Sequence, residues 1–492
     1  MKTLLMLSSL LFAFAGSVSA DSGGLHQTDT VPHRIQAIVE AADEFPLPGY
    51  ALMEFQPGDA AIEYYSGVAN LESETLVSPD TLFPVASLTK TWAAIVVLQL
   101  AEESKLSLDQ SIHELIPGST LEAEVTIRHL LSHSSHGQPG TQFHYDGARY
   151  SLLTRIIEKV EGQSFTDSFN RRIVEPLGLQ DTFLLGDQAE TTPRLDDIAA
   201  PYRYDGEYSE CSIEFGSSAS AGLVSSARDL TAFAVALTDG QLLNEASMEL
   251  MTTPVAEHAP AGLGVFVDRR FGELIVWGYG QYDCYSALSI LLPNQNAGMV
   301  FLANNNTPSD ASRLIYGNIL NSPIAIAYLR TVSRSMETTL SIPPDAEQRA
   351  ALIQQAFFSR YDVNLLESAM SSATEWFESH PEQRNSPDLS VVHALNFIKL
   401  VGQHLQGRTI QAFDDVIISK SKAVLDIDPG NPYAHTYLAA TYAGQKQLEE
   451  ARFHYRQIVE LPNMSRSWFT VEAETALAEL EEGAEEEGDS QN

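Results

Sequence analysis

Cysteine is nearly absent: Cys211 and Cys284 are the only two in 492 residues. A disulfide-stapled scaffold is ruled out, because such folds use cysteine densely in place of a large core. The two are compatible with a bridge in an oxidising compartment or with two separate thiols. Basic residues are scarce as well, with 29 Lys and Arg against 65 Asp and Glu and a formal net charge of −36. Nucleic-acid binders and proteins adhering to anionic membranes need a basic surface, so both classes are disfavoured. After the first twenty residues no stretch reaches about 18 uninterrupted apolar residues, the length that spans a bilayer. A Gly-x-Ser-x-Gly elbow, a phosphate loop and His-Glu-x-x-His are also missing. No motif therefore asks for a cofactor or a metal.

What is present is ordinary globular composition, 44% hydrophobic and 19% charged. Residues 1–20 read as a signal peptide: Lys2, an apolar run from Leu4 to Ala15, and the small-x-small site Val18-Ser19-Ala20. This predicts export, to the periplasm or beyond, of a chain with no membrane span. Residues 35–335 alternate strand-like and helical runs. Tyr50–Gln56 and Ala60–Val68 read as paired strands around Pro57-Gly58-Asp59. Glu273–Gly278, Tyr285–Leu292 and Ala297–Ala303 are three more. Ser87–Glu103 is apolar nearly all round and must be buried on every side. The expected class is α+β, an antiparallel sheet flanked by helices.

Beyond Ser341-Ile342-Pro343-Pro344-Asp345, a linker signal, residues 345–478 read as all-α. Leu438, Ala439, Tyr442, Ala451, Tyr455 and Pro462 carry the spacing of a tetratricopeptide-like helical repeat, with a plain helical bundle as the alternative. This region is expected to be an accessory module that docks a protein partner, separable from the residues before about 335. Residues 479–492 hold seven acids and no base, and are expected to be solvated and disordered.

The segment Phe83-Pro84-Val85-Ala86-Ser87-Leu88-Thr89-Lys90 carries the sharpest chemistry. Ser87 and Lys90, three apart, fall on one helix face. A serine hydroxyl needs a partner to take its proton, and burial favours the neutral, proton-accepting form of a lysine. Ser419…Lys422 repeats the spacing in the acidic helical region and reads as accidental. The context of Ser87 resembles the penicillin-recognising serine hydrolases, in particular the class C β-lactamase-related branch of carboxypeptidases, aminopeptidases and esterases. The matching pieces are collinear: Asp80-Thr81-Leu82-Phe83, Leu106-Ser107-Leu108-Asp109, Ile127–Ser134, Gly140–Tyr145, Ala221–Leu230 and Pro293…Asn304.

The resemblance implies a β-lactamase/transpeptidase-like fold with Ser87 acylated, Lys90 as its proton-transfer partner and Tyr145 as general base and acid. It places oxyanion donors at the backbone of Ser87 and of Gln281, with Gly280 giving close approach. It also brings Cys211 and Cys284 near the site, where a bridge would rim the pocket. Two departures stand out. The family's Tyr-x-Asn reads Tyr145-Asp146-Gly147, and the Lys- or His-Thr/Ser-Gly motif reads Gly278-Tyr279-Gly280. His129, His133 and His136 cluster, but no carboxylate or cysteine completes a zinc ligand set. The expected function is an exported serine hydrolase for a small ester, amide or D-amino-acid peptide, with β-lactam turnover disfavoured. The alternative is a catalytically weakened fold used as a scaffold through its helical repeats.

Overall fold

The apolar runs at the two ends of the 35–335 region pair with each other. A computed structural model describes residues 31–489 apart from 257–258, 337, 363 and 461–467; the expected signal peptide and Pro462 lie outside the described residues. Seven strands, β1 (Gly49–Phe55), β2 (Ile62–Asn70), β3 (Thr75–Leu76), β4 (Phe266–Asp268), β5 (Ile275–Tyr282), β6 (Tyr285–Leu292) and β7 (Ala297–Ala303), form one antiparallel sheet in the order β3-β2-β1-β7-β6-β5-β4. The first and last long strands lie side by side, Leu52 opposite Phe301.

Both faces of the sheet are covered, which is why its central strands read as continuous apolar runs. Met53, Val276, Ala287, Val300 and Leu302 pack against α2 (Thr89–Glu102), α3 (Gly147–Glu161) and α4 (Ala227–Thr238). Leu52, Trp277, Leu288, Met299 and Phe301 pack against α1 (Gln36–Asp43) and α5 (Pro323–Ser335). As its composition requires, α2 is enclosed, with Trp92 stacked on Phe233 of α4 at 3.7 Å between ring centroids. Cys211 and Cys284 are bridged, 6.4 Å between Cα atoms, tying the segment after Tyr208–Glu210 to the β5–β6 turn.

The C-terminal region is helical: α6 (Ala346–Phe358), α7 (Asn364–Ser379), α8 (Leu389–Gln406), α9 (Asp414–Ile427), α10 (Pro432–Gly444), α11 (Leu448–Val459) and α12 (Trp468–Asp489). It packs on the sheet domain. Ala346, Ala350 and Phe357 of α6 belong to the same apolar cluster as the sheet, α1 and α5. The proline-rich stretch before α6 lies on the sheet edge instead of hanging free: Leu340 is buried, and the Ser341 N–H donates to the Phe271 carbonyl at 2.8 Å. Nor is the acidic end without structure. Helix α12 runs through Glu479 because Ala, Leu and Glu are strong helix formers and its first turns are seated, Ala473 against Ile458. No helix among the described residues is long and apolar enough to cross a membrane.

Candidate active site

Ser87 is presented by a short turn with several restraints. Phe83-Pro84 pairs with Val224-Ser225, and the Val85 N–H donates to the Leu223 carbonyl at 2.9 Å. Ala86 then takes φ 45°, in the left-handed region. For an alanine this conformation costs on the order of 1 kcal/mol and persists only where the surroundings impose it. Thr89 supplies part of that restraint: its hydroxyl donates to the Ala86 carbonyl at 2.6 Å and accepts from the Leu223 N–H at 3.1 Å. Ser87 is thereby left partly exposed at the head of α2, with Lys90 buried one turn on. Lys90 Nζ donates to Ser87 Oγ at 2.9 Å and to the Ser220 carbonyl at 2.8 Å.

Tyr145 reaches the same point from the loop before α3. Its ring centroid lies 5.1 Å from Lys90 Nζ, and His133 stacks on it at 4.3 Å. His133 Nδ1 accepts the Asp146 N–H at 3.1 Å, so the proton of the neutral ring sits on Nε2. Burial, and then the charge of Lys90, push this imidazole well below the usual histidine range, so it stays neutral. Asp146 caps α3 through the Arg149 N–H at 2.9 Å, and its carboxylate accepts from His136 at 2.8 Å. Burial opposes its ionisation, but these hydrogen bonds and the charges of His136 and Arg149 outweigh it and hold the carboxyl below its usual range. His129 accepts the Thr126 N–H at 3.1 Å. His133 and His136 thus both engage Asp146, while His129 is occupied with Thr126.

Both departures acquire a spatial meaning. A Cβ at Gly147 would lie 3.8 Å from Lys90 Nζ, so this is where an amide would reach the lysine. Here the Ser220 carbonyl is the second acceptor on Lys90. On β5, a Cβ at Gly280 would collide with the Val85 carbonyl, so the strand is pressed against the turn that carries Ser87. Tyr279 points to the opposite face, buried beside Phe266 and Trp277, and burial pushes its hydroxyl well above the usual tyrosine range. This fixes the register: Gly280 makes the close approach and Gln281 follows it. A Cβ at Gly278 would stand 2.9 Å from Leu88 Cδ2, leaving no room for a cationic side chain unless Leu88 moves. Strand β4 pairs with β5 at Ile275–Trp277, and Gly278–Tyr282 lie beyond that pairing.

The fold therefore gathers Ser87, Lys90, Tyr145, Gly280 and Gln281 around one turn. Sequence reasoning did not find Ser220, which acts through a backbone carbonyl and leaves no side-chain signal. It also missed Gly264, whose carbonyl accepts from Thr91 at 2.9 Å and whose Cβ would collide with Ala94. In the second Ser-x-x-Lys match the two side chains part: Ser419 bonds Asn385 at 2.6 Å, while Lys422 lies over the Tyr442 ring. An amine on a serine hydroxyl, at a helix start beside a strand edge, is an arrangement suited to acyl transfer.

Comparison with known proteins bears on the family and the fold. Penicillin-binding protein 4 of Amycolatopsis lactamdurans is 32% identical over 180 residues, covering 30% of this chain and 47% of that protein. Protein flp of Staphylococcus aureus (strain MW2) is 24% identical over 306 residues, covering 53% and 60% respectively. The chain thus spans about half to three-fifths of the length of these curated relatives. Among solved structures, the octameric penicillin-binding protein homologue from Pyrococcus abyssi superposes with a TM-score of 0.55 at 23% identity, over 64% of this chain and 79% of that one. D-amino acid amidase from Ochrobactrum anthropi superposes with a TM-score of 0.53 at 22% identity, over 62% and 99%. The Beta-lactamase family model matches residues 35–320, more than half of the chain. With that match and the fold shared with these neighbours, the chain belongs to the β-lactamase family and has the fold of its serine hydrolases.

Proposed function

We propose that the protein is a serine hydrolase that forms an acyl-enzyme at Ser87. The observation that carries this reading is the 2.9 Å hydrogen bond from Lys90 Nζ to Ser87 Oγ at the strained head of α2. As the Ser87 Oγ–acyl bond forms, the hydroxyl proton passes to the Lys90–Tyr145 pair. As the bond to the leaving group breaks, that group takes a proton from the same pair. Water then attacks the acyl carbon and restores Ser87. The carbonyl oxygen, carrying the developing charge, faces the backbone of Ser87 and Gln281. The substrate in this reading is a small ester, amide or D-amino-acid peptide. Leu88 fills the space beside Gly278, so position 278 of the strand supplies no cation to a substrate carboxylate, and ester hydrolysis is favoured over β-lactam turnover.

Export belongs to the same proposal. It rests on the Val18-Ser19-Ala20 site and agrees with a cystine bridge, which persists in oxidising compartments. The helix pair α10–α11 is read as tetratricopeptide-like, a seat for a protein partner. The test is labelling with a fluorophosphonate, comparing wild type with Ser87→Ala, followed by turnover of p-nitrophenyl acetate and a cephalosporin. Stoichiometric labelling lost in Ser87→Ala, with ester turnover the faster, is the expected result. Labelling that survives the substitution removes the assignment, and its absence from wild type favours the scaffold reading, for which Gly147 and Gly278 speak.

A further inference from the structure

Besides facing Lys90, Tyr145 lines a cavity of about 910 Å³ between the sheet domain and the C-terminal helices. That volume is within the range of sites that enclose a whole small molecule. Phe143, Tyr145 and Tyr316 line it from one side, and Trp376, Ile427 and Tyr433 from the other. The carboxylates around it are taken by neighbours. Asp268 is held by Arg270 at 2.5 Å, Asp388 by Arg349 at 2.7 Å and Asp428 by Asn431 at 3.0 Å, while Asp345 lies 3.6 Å from His380. The cavity therefore has aromatic side chains on both walls and its carboxylates engaged by neighbours, with Arg269, which donates to the Thr252 carbonyl at 3.3 Å, also in the lining. Aromatic walls of that kind suit an uncharged apolar or aromatic group.

The helical wall is held in place from several directions. Gln142 Nε2, three residues before Tyr145, donates to the Ile427 carbonyl. The Tyr433 ring meets Tyr316 edge-on at 5.3 Å. Behind them Arg313 Nε donates to His393 Nε2 at 2.7 Å, His393 Nδ1 bonds the Tyr437 hydroxyl at 2.7 Å, and that hydroxyl is 2.9 Å from Tyr316. Burial keeps His393 well below the usual histidine range, and a neutral ring protonated at Nδ1 is what this chain of bonds requires.

We propose that this cavity is a subsite of the serine site, taking an uncharged aromatic or extended apolar group of the substrate, with Tyr433 and Ile427 as specificity-determining residues. The inference rests on Ser87 as the nucleophile. Tyr145 is the wall shared by the Ser87–Lys90 pair and the cavity, so a substrate that acylates Ser87 and extends past Tyr145 enters it. The C-terminal helices then select substrate as well as complete the fold.

The test uses the full chain and three p-nitrophenyl esters: acetate, octanoate and phenylacetate. Wild type is compared with Tyr433→Ala and with Ile427→Asp; Ile427 is 61% exposed, so its replacement spares folding. For the octanoate and phenylacetate esters both variants are expected to lose about tenfold in kcat/KM, mostly through KM. For the acetate ester, and in fluorophosphonate labelling of Ser87, they should stay within about twofold, because neither reaches the cavity. Equal losses on all three esters, or no loss on any, overturn the subsite. Wild type that never labels at Ser87 overturns the underlying reading, and labelling records that outcome separately from ester selectivity.

Discussion

Gly280 shows how much one residue carries at this site. Its α-carbon is pressed so closely on the Val85 carbonyl that a methyl group has no place there. Gly280→Ala must push β5 away from the turn that holds Ser87, moving the oxyanion donor of the next residue with it. Overpacking of this kind costs about 1–3 kcal/mol. We expect the labelling rate of Ser87 to fall at least about tenfold, as it does when an oxyanion donor is displaced elsewhere. Gly444→Ala is the control, since nothing lies within 4 Å of its Cβ. It should leave labelling and melting temperature unchanged or slightly raised. Equal labelling rates in the two variants would show that the close approach is incidental.

At the scale of elements, the loops around the site are secured to the sheet by one covalent tie. The Cys211–Cys284 bridge joins residues 73 apart in sequence and ends at the β5–β6 turn, just past Gln281. Chain-entropy arithmetic for a loop of that length gives about 4 kcal/mol as an upper figure. Reduction, or a Cys211→Ser/Cys284→Ser double variant, is expected to lower unfolding free energy by about 2–4 kcal/mol in urea titration. A denaturation midpoint unchanged by reduction would mean that the surrounding packing alone defines this corner.

For the whole molecule, the interface between the sheet domain and the C-terminal helices is core. Truncation after Ser335 would uncover the face of α1 and α5 now covered by α6, with Phe45 losing Phe358 and the sheet cluster losing Ala346, Ala350 and Phe357. Losing Phe357 alone corresponds to about 3–5 kcal/mol, and the uncovered apolar face of α1 and α5 adds to it, a large share of the stability of a domain. The shortened chain is therefore expected to be insoluble or to lack a cooperative melt by circular dichroism. A soluble truncation that melts cooperatively and still labels at Ser87 would restore the view of the helices as an appendage.

Much of this was legible in the residues. Apolar-rich runs at 50–56, 273–278, 285–292 and 297–303 announce strands, the first two observed at 49–55 and 275–282, and a nearly all-apolar 87–103 announces an enclosed helix, observed at 89–102, because each pattern has one economical burial. The Ser87–Lys90 spacing places two side chains on one helix face wherever that helix goes. Distance in space was not legible. Lys90 and the Ser220 carbonyl are 130 positions apart, and Tyr145 and Tyr433 farther still; only the closed sheet and the docking of α6–α10 bring such groups together. A backbone carbonyl, a collision at a missing Cβ and the pairing of two cysteines are properties of three-dimensional proximity, which local propensity does not encode. The packing of the C-terminal helices on the sheet domain was not legible for the same reason. Composition changes at residue 335, but burial is decided by which apolar faces meet, and those of α6 meet the sheet domain.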